Sequence, residues 1–496
     1  MSHRTSIFVA TGLALLLPGA GALAQEAPPI PARPEKLSFP PLSFEPPDPA
    51  KYRHELPGGV VVFLVPDHEL PLVDVRFSFR GGSYLDPAGK EGLTAALGAM
   101  LRRGGAGELG AAELDEEVDF LAAEMGSAAG EYELNASLDT LAQNLDRSLS
   151  LFVSMLRAPR FQADRFALWK SEVLERLKQR NDDAGDILSR EWTALVYGRD
   201  HFKAREVTKA SLEAIGEADL RAQLARIVHP GNLVIGVSGD FQPEAMLERL
   251  RKALEGWKAG ERSPAPPAPT AAITPGLYRV EKDIPQGKVN IGMRSIKRDD
   301  PDYHALMVMS RILGAGGFTS RITRRVRSDE GLAYDAGAAI IPGLWFPGEF
   351  RASFQSKSRT VALAAKIVLE EVEKIRKAAP DASELDVAKG SLIETFPKTF
   401  ESPAATLSVF MSDEISGRPY AWWKEYRDKI RAVSAEDVRR VAEKHLDPAR
   451  MALLVVGKWE EIAPGDLEGR AKMAELLGGE ATELPLRDPL TLEPLR

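Results

Sequence analysis

The chain has no cysteine among its 496 residues, which rules out a disulfide framework and any thiolate metal site. Histidine is scarce as well. The seven are His3, His54, His68, His201, His229, His304 and His445, and no two stand in an H-x-x-x-H or H-x-H spacing. No pair therefore shares a helix or strand face within reach of one metal ion, and no cofactor is expected in this chain. Long hydrophobic runs are missing too: the apolar stretch 7–17 is about half of the roughly 20 residues a spanning helix needs. Positive charge is not in excess. A formal charge of −8 provides no broad field for gripping nucleic acid or an anionic membrane.

What is present begins with His3 and Arg4, the apolar run, and the small-residue site Ala22-Leu23-Ala24 before Gln25. This pattern predicts a cleaved secretory signal at 1–24 and export to a periplasm, with no stable membrane insertion. Proline pairs (Pro28-Pro29, Pro40-Pro41, Pro46-Pro47) mark an extended leader at 25–50. A second proline-alanine stretch starts at Ser263, so a linker is expected at 263–274. It separates an N-terminal lobe, 51–262, from a C-terminal lobe, 275–460, and a tail, 461–496.

The two halves repeat a pattern. Asp219-Leu220 is followed by Pro230 and an apolar run ending at Gly239, while Asp437-Val438 is followed by Pro448 and an apolar run ending at Gly457. The differences 437 − 219, 448 − 230 and 457 − 239 are all 218. Helix, turn and strand thus keep register across a duplicated unit. Short strands are predicted at 60–65 and 73–79. Leu93, Ala96, Leu97, Met100 and Leu101 form the buried stripe of a helix ending at Gly104-Gly105, and Ile367, Leu369, Val372 and Ile375 mark another. The expected fold class is α+β, with two homologous lobes, each an antiparallel-rich sheet covered by helices on one face.

The segment from Gly92 to Gly105 resembles the zinc helix of the pitrilysin/insulinase family of metallopeptidases. In that family an H-x-x-E-H motif supplies two zinc ligands and a general base. The corresponding positions here are Ala95, Gly98 and Ala99, which have no side-chain donor and no carboxylate. The family's third ligand, a glutamate, corresponds to the region 172–179, which contains Glu172 and Glu175. Ser320 to Tyr334 is similar to the segment with which the opposite lobe completes the family's active site. The resemblance gives Arg327 and Tyr334 the role of binding the substrate carbonyl, where a guanidinium and a phenol suit developing oxyanion charge. A helix closed by Gly331 and a strand from Tyr334 to Ile341 are expected there. The glycines Gly314, Gly316 and Gly317 predict a tight turn before Arg321.

The small residues Ser127, Ala128 and Ala129 correspond to the family's substrate-binding edge strand, to which an extended peptide adds by backbone pairing. The resemblance spans 51–460. It implies a non-zinc subunit of a periplasmic heterodimer, with zinc held by an H-x-x-E-H-containing homologous partner and unfolded peptide as substrate. The other reading it allows is an inactive peptide-binding or scaffold homologue.

Overall fold

Two burial patterns among the strands explain how the chain is layered. Strands that alternate polar and apolar residues rest one face on helices, whereas strands apolar throughout lie inside a sheet covered on both faces. The computed structural model describes Arg33, Leu37 and residues 43–495. The signal segment 1–24 and most of the leader 25–50 lie outside the described residues.

The strands β1 (Arg53–Leu56), β2 (Val60–Pro66), β3 (Leu72–Arg80), β4 (Glu124–Ala129), β5 (Glu133–Leu141) and β6 (Leu233–Gly239) form a six-stranded sheet in the order β1-β2-β6-β3-β5-β4. The strands β7 (Gly276–Glu281), β8 (Gln286–Arg294), β9 (Ala336–Ile341), β10 (Glu349–Lys357), β11 (Ala452–Gly457) and β12 (Ala481–Glu483) form a second, in the order β12-β7-β11-β8-β10-β9. β6 and β11, buried almost along their whole length, occupy equivalent interior places. β5 alternates instead, turning Leu134, Ala136 and Leu138 inward.

The repeat survives at the level of register. β2 runs parallel to β6 and ends with Pro66 opposite Gly239; β7 runs parallel to β11 and ends with Glu281 opposite Gly457. The two sheets differ at one edge. β1 is antiparallel to β2, but β12, which comes from the tail, is parallel to β7. Beyond β12 the tail carries Leu484, Leu486 and Leu490 onto the core of the first half, so 461–495 is woven into the fold.

Helices cover one face of each sheet, as expected, but the opposite face also receives a helix from the other half. Ala184–Tyr197 packs on β8 and β11, and Pro403–Ser416 packs on β2 and β6. Both helices have 14 residues, and both ends differ by 219 (403 − 184 and 416 − 197). Their anchoring is reciprocal as well. Arg80, the last residue of β3, donates to the Glu414 carbonyl at 3.0 Å, and Arg294, the last residue of β8, donates to the Val196 carbonyl at 2.8 Å. A cation at the C-terminal carbonyls of a helix is well placed with respect to its dipole. Through this exchange the first core, containing Trp192, continues into Tyr278, Val280, Leu454 and Val456 of the second sheet. Residues Glu45–Arg496 accordingly form one compact unit.

In the second half the helices Tyr303–Ser310 and Ala435–His445 are fastened at Asp302. This buried carboxylate accepts from Arg440 (2.9 Å), Lys444 (2.7 Å) and His445 (2.8 Å). Burial pushes the Asp302 carboxyl up, but the bonds from Lys444, His445 and Arg440 outweigh it and hold the group well below the usual carboxylate range. Its folded-state value lies below the unfolded value of about 3.9, so the stabilisation is complete above that pH and is lost on acidification. Asp302→Asn is expected to lower the urea midpoint at neutral pH, with the gap to wild type narrowing steadily below about pH 4. A gap independent of pH would show that the charge contributes nothing.

Candidate functional site

The helix Leu93–Arg103 places its apolar stripe inward, with Leu93, Ala96, Leu97, Met100 and Leu101 buried. Ala95, Ala99 and Arg103 follow one another at i, i+4 and i+8 and so share a second face. Ala95 is exposed and Ala99 partly so. At the end of that face Arg103 forms a two-pronged pair with Glu172, both contacts at 2.8 Å. Glu175 is paired with Lys178 at 2.7 Å. The acidic positions of the third-ligand region are therefore engaged with cations, and the face contains no other donor at Ala95 or Ala99. The residues present do not fit a zinc ion.

Gly98 excludes a simple repair of this motif. The helix lies so close to β4 that a Cβ on Gly98 would stand 2.8 Å from the Ala129 amide nitrogen and 3.1 Å from the Ala128 carbonyl carbon. The Ser127 hydroxyl bridges the same gap by donating to the Gly98 carbonyl at 2.6 Å. Gly98→Glu is expected to destabilise the fold by about 2–3 kcal/mol through overpacking against backbone, which cannot rotate away. Ala95→Glu, on the exposed side, should stay within about 0.5 kcal/mol of wild type. Equal urea midpoints for the two variants would overturn this account.

β4 is an edge strand, paired with β5 alone. Beside it a groove of about 680 Å³ opens between β3, β5 and the inserted helix Pro403–Ser416, lined by Arg76, Ser78, Glu133, Asn135 and Asp139. Ser127 and Ala128 line it as well, whereas the Ala129 backbone faces Gly98. Burial pushes the Glu133 and Asp139 carboxyls up, with repulsion from Asp74 adding to the effect at Asp139. Arg76 is neutralised within the strand by Asp74, at 2.8–3.2 Å. The groove carries several acceptor side chains on a lining that is otherwise largely apolar.

The segment of Arg327 and Tyr334 departs from the regular helix expected of it. An α-turn at Arg321–Thr323 gives way to a π-helical stretch at Arg324–Asp329, closed by bonds from Glu330 N to Arg325 O and from Leu332 N to Val326 O. Gly331 follows with φ +61°. The strand begins at Ala336, so Tyr334 lies in the bend before it and is 83% exposed. The extra residue per turn and the bend bring the two side chains together: the Arg327 guanidinium carbon lies 4.5 Å from the Tyr334 ring centre. Phe318, 67% exposed, flanks the same guanidinium at 4.4 Å. Among the described residues Arg327 has no carboxylate partner, although Arg321 is paired with Glu384 and Arg325 with Glu370 and Glu371.

The glycine run before Arg321 forms the expected tight turn only at Gly317–Thr319. Gly314 belongs to a π-helical turn, Arg311–Ala315, that presses on the backbone of Ala338 in β9. It is the counterpart of Gly98 against β4. Phe318 passed unnoticed in the sequence because the surrounding glycines mark a turn and give no sign of what the turn presents.

Among the described residues one group brings three possible metal donors together, Asp300, Asp302 and His445. The oxygens of Asp302 are already engaged by Arg440, Lys444 and His445, and the charges of Arg440 and Lys444 oppose a divalent ion.

Comparison with known proteins agrees with this geometry. Residues 214–392 match the peptidase M16 inactive domain. A non-peptidase homologue, YmxG of Helicobacter pylori, is 26% identical over 404 residues, covering 80% of this chain and 91% of that protein. An uncharacterised zinc protease of Mycobacterium tuberculosis is 25% identical over 362 residues, covering 70% and 80%. The crystal structure of a peptidase M16 inactive domain from Pseudomonas fluorescens superposes with a TM-score of 0.73 at 25% identity, covering 82% of this chain and 98% of that one. The chain is thus similar to M16 peptidases and their non-peptidase homologues over most of its length, matches their inactive domain at 214–392, and has none of the donors of the H-x-x-E-H motif at 95, 98 and 99.

Proposed function

We propose that this chain is the non-zinc subunit of a two-chain peptidase of the periplasm. It lends Arg327 and Tyr334 to a site built on the H-x-x-E-H helix of a homologous, zinc-bearing partner, and the substrate is an unfolded peptide held along a sheet edge. The observation that carries this reading is the pairing of the half-buried Arg327 with the exposed Tyr334. A guanidinium with no carboxylate partner among the described residues, next to an exposed phenol, contributes little to the stability of the chain but provides donors for a carbonyl oxygen acquiring negative charge. In this arrangement Arg327 donates its N–H groups to the substrate carbonyl and the Tyr334 hydroxyl donates to the same region, while the acceptor-rich groove beside β4 orients peptide.

The test is co-expression with an H-x-x-E-H homologue and a peptide-cleavage assay sensitive to chelators. Loss of turnover on substituting Arg327 or Tyr334 in this chain alone supports the reading. Unchanged turnover with both substitutions overturns it and leaves a peptide-binding or scaffolding role.

A further inference from the structure

Phe318 stands on a short turn, Gly317–Thr319, and its ring is mostly exposed, yet it lies as close to the Arg327 guanidinium as Tyr334 does. The turn is held in place. The buried Ser320 hydroxyl lies 2.7 Å from the Gly317 carbonyl and 2.9 Å from Thr323 Oγ1. Thr323 Oγ1 in turn donates to the Ala336 carbonyl at 2.7 Å, two residues past Tyr334. Two buried hydroxyls therefore connect the turn that presents Phe318 with the bend that presents Tyr334. A long, half-buried arginine side chain loses its rotamer freedom only if something holds it. Arg327 has no carboxylate partner among the described residues, and the two rings are what hold it. Ring faces attract a guanidinium without occupying its N–H groups, whereas a carboxylate would consume them.

We propose that Phe318 is a positioning residue for Arg327. Together with Tyr334 it keeps the guanidinium fixed while leaving the N–H groups free for substrate. The proposal rests on the role given to Arg327 above.

Two measurements test it. In the full-length chain alone, labelled with [15N]arginine and with the Arg327 signal assigned by its loss in Arg327→Lys, the side-chain N–H of Arg327 is expected to be ring-shifted. Phe318→Ala moves it toward the exposed arginines, and Phe318→Tyr keeps it in place. In the peptidase assembled with the H-x-x-E-H partner, Phe318→Ala lowers kcat about tenfold with little change in KM, Phe318→Tyr restores it, and Phe318→Ala adds nothing to Arg327→Ala. Because the ring is exposed, the variants should fold with wild-type stability. An unmoved Arg327 signal in Phe318→Ala, or a loss of activity additive with that of Arg327→Ala, overturns the role of Phe318 and leaves that of Arg327 standing. Wild-type kcat in Arg327→Ala overturns both.

Discussion

Arg327→Ala in this chain is expected to reduce kcat of the proposed two-chain peptidase by about 10²–10³-fold, the usual loss for one oxyanion donor. KM should change by far less, because the interaction strengthens as charge develops on the carbonyl oxygen and not on binding. Arg327→Lys should fail to rescue, since an ammonium keeps the charge but has neither the planar fork nor the ring-stacking surface that Phe318 and Tyr334 contact. Tyr334→Phe separates the two contributions of the tyrosine: the ring contact with Arg327 remains and only the hydroxyl is lost. A fall in kcat of about 10²-fold in Tyr334→Phe would assign the phenol a donor role. An unaffected kcat would restrict Tyr334 to holding Arg327. Tyr334 is exposed and Arg327 is half-buried with no carboxylate partner among the described residues, so urea midpoints of these variants should stay close to wild type, and a shared loss of stability would discredit the kinetic comparison.

The second large effect concerns the exchanged helices. Trp192 is 1% exposed, sits on the helix Ala184–Tyr197 that lies against β8 and β11, and donates from its indole nitrogen to Glu349 at 2.6 Å. Trp192→Ala should cost about 3–5 kcal/mol by removing a large side chain from a core that spans both halves. Trp192→Phe retains much of the volume and should cost about 1.5–3 kcal/mol, most of it the lost bond to the carboxylate. Because this core includes strands of both sheets, the loss should appear as a coupled decrease in the urea midpoint of the whole Glu45–Arg496 unit. Early unfolding of one half with the other unaffected would show that the helix exchange does not couple them.

Much of this could be seen in the sequence, for identifiable reasons. The offset of 218 between the two apolar runs predicted equivalent strands, and β6 and β11 are equivalent down to their pairing register, because a buried strand tolerates little besides apolar residues along its length. The stripe from Leu93 to Leu101 marked its helix for the same reason. The emptiness of Ala95, Gly98 and Ala99 could be read from side-chain chemistry alone. Arg327 and Tyr334 were singled out by the resemblance of 320–334 to the family's segment. Their local structure was not, since a π-turn and an α-turn share the same apolar periodicity over a few residues and differ only in which carbonyl accepts.

The sequence alone determined that the protein is built twice from one α+β plan and that no zinc site can form at the motif position, because both follow from local pattern and from which atoms the side chains possess. The tertiary structure decided what lies beside those positions. It set β4 against Gly98, paired Glu172 with Arg103, sent each half's helix onto the other half's sheet, and placed Phe318 and Tyr334 around Arg327. These are contacts between segments tens to hundreds of residues apart or across irregular turns, which packing and hydrogen bonding specify and periodicity does not.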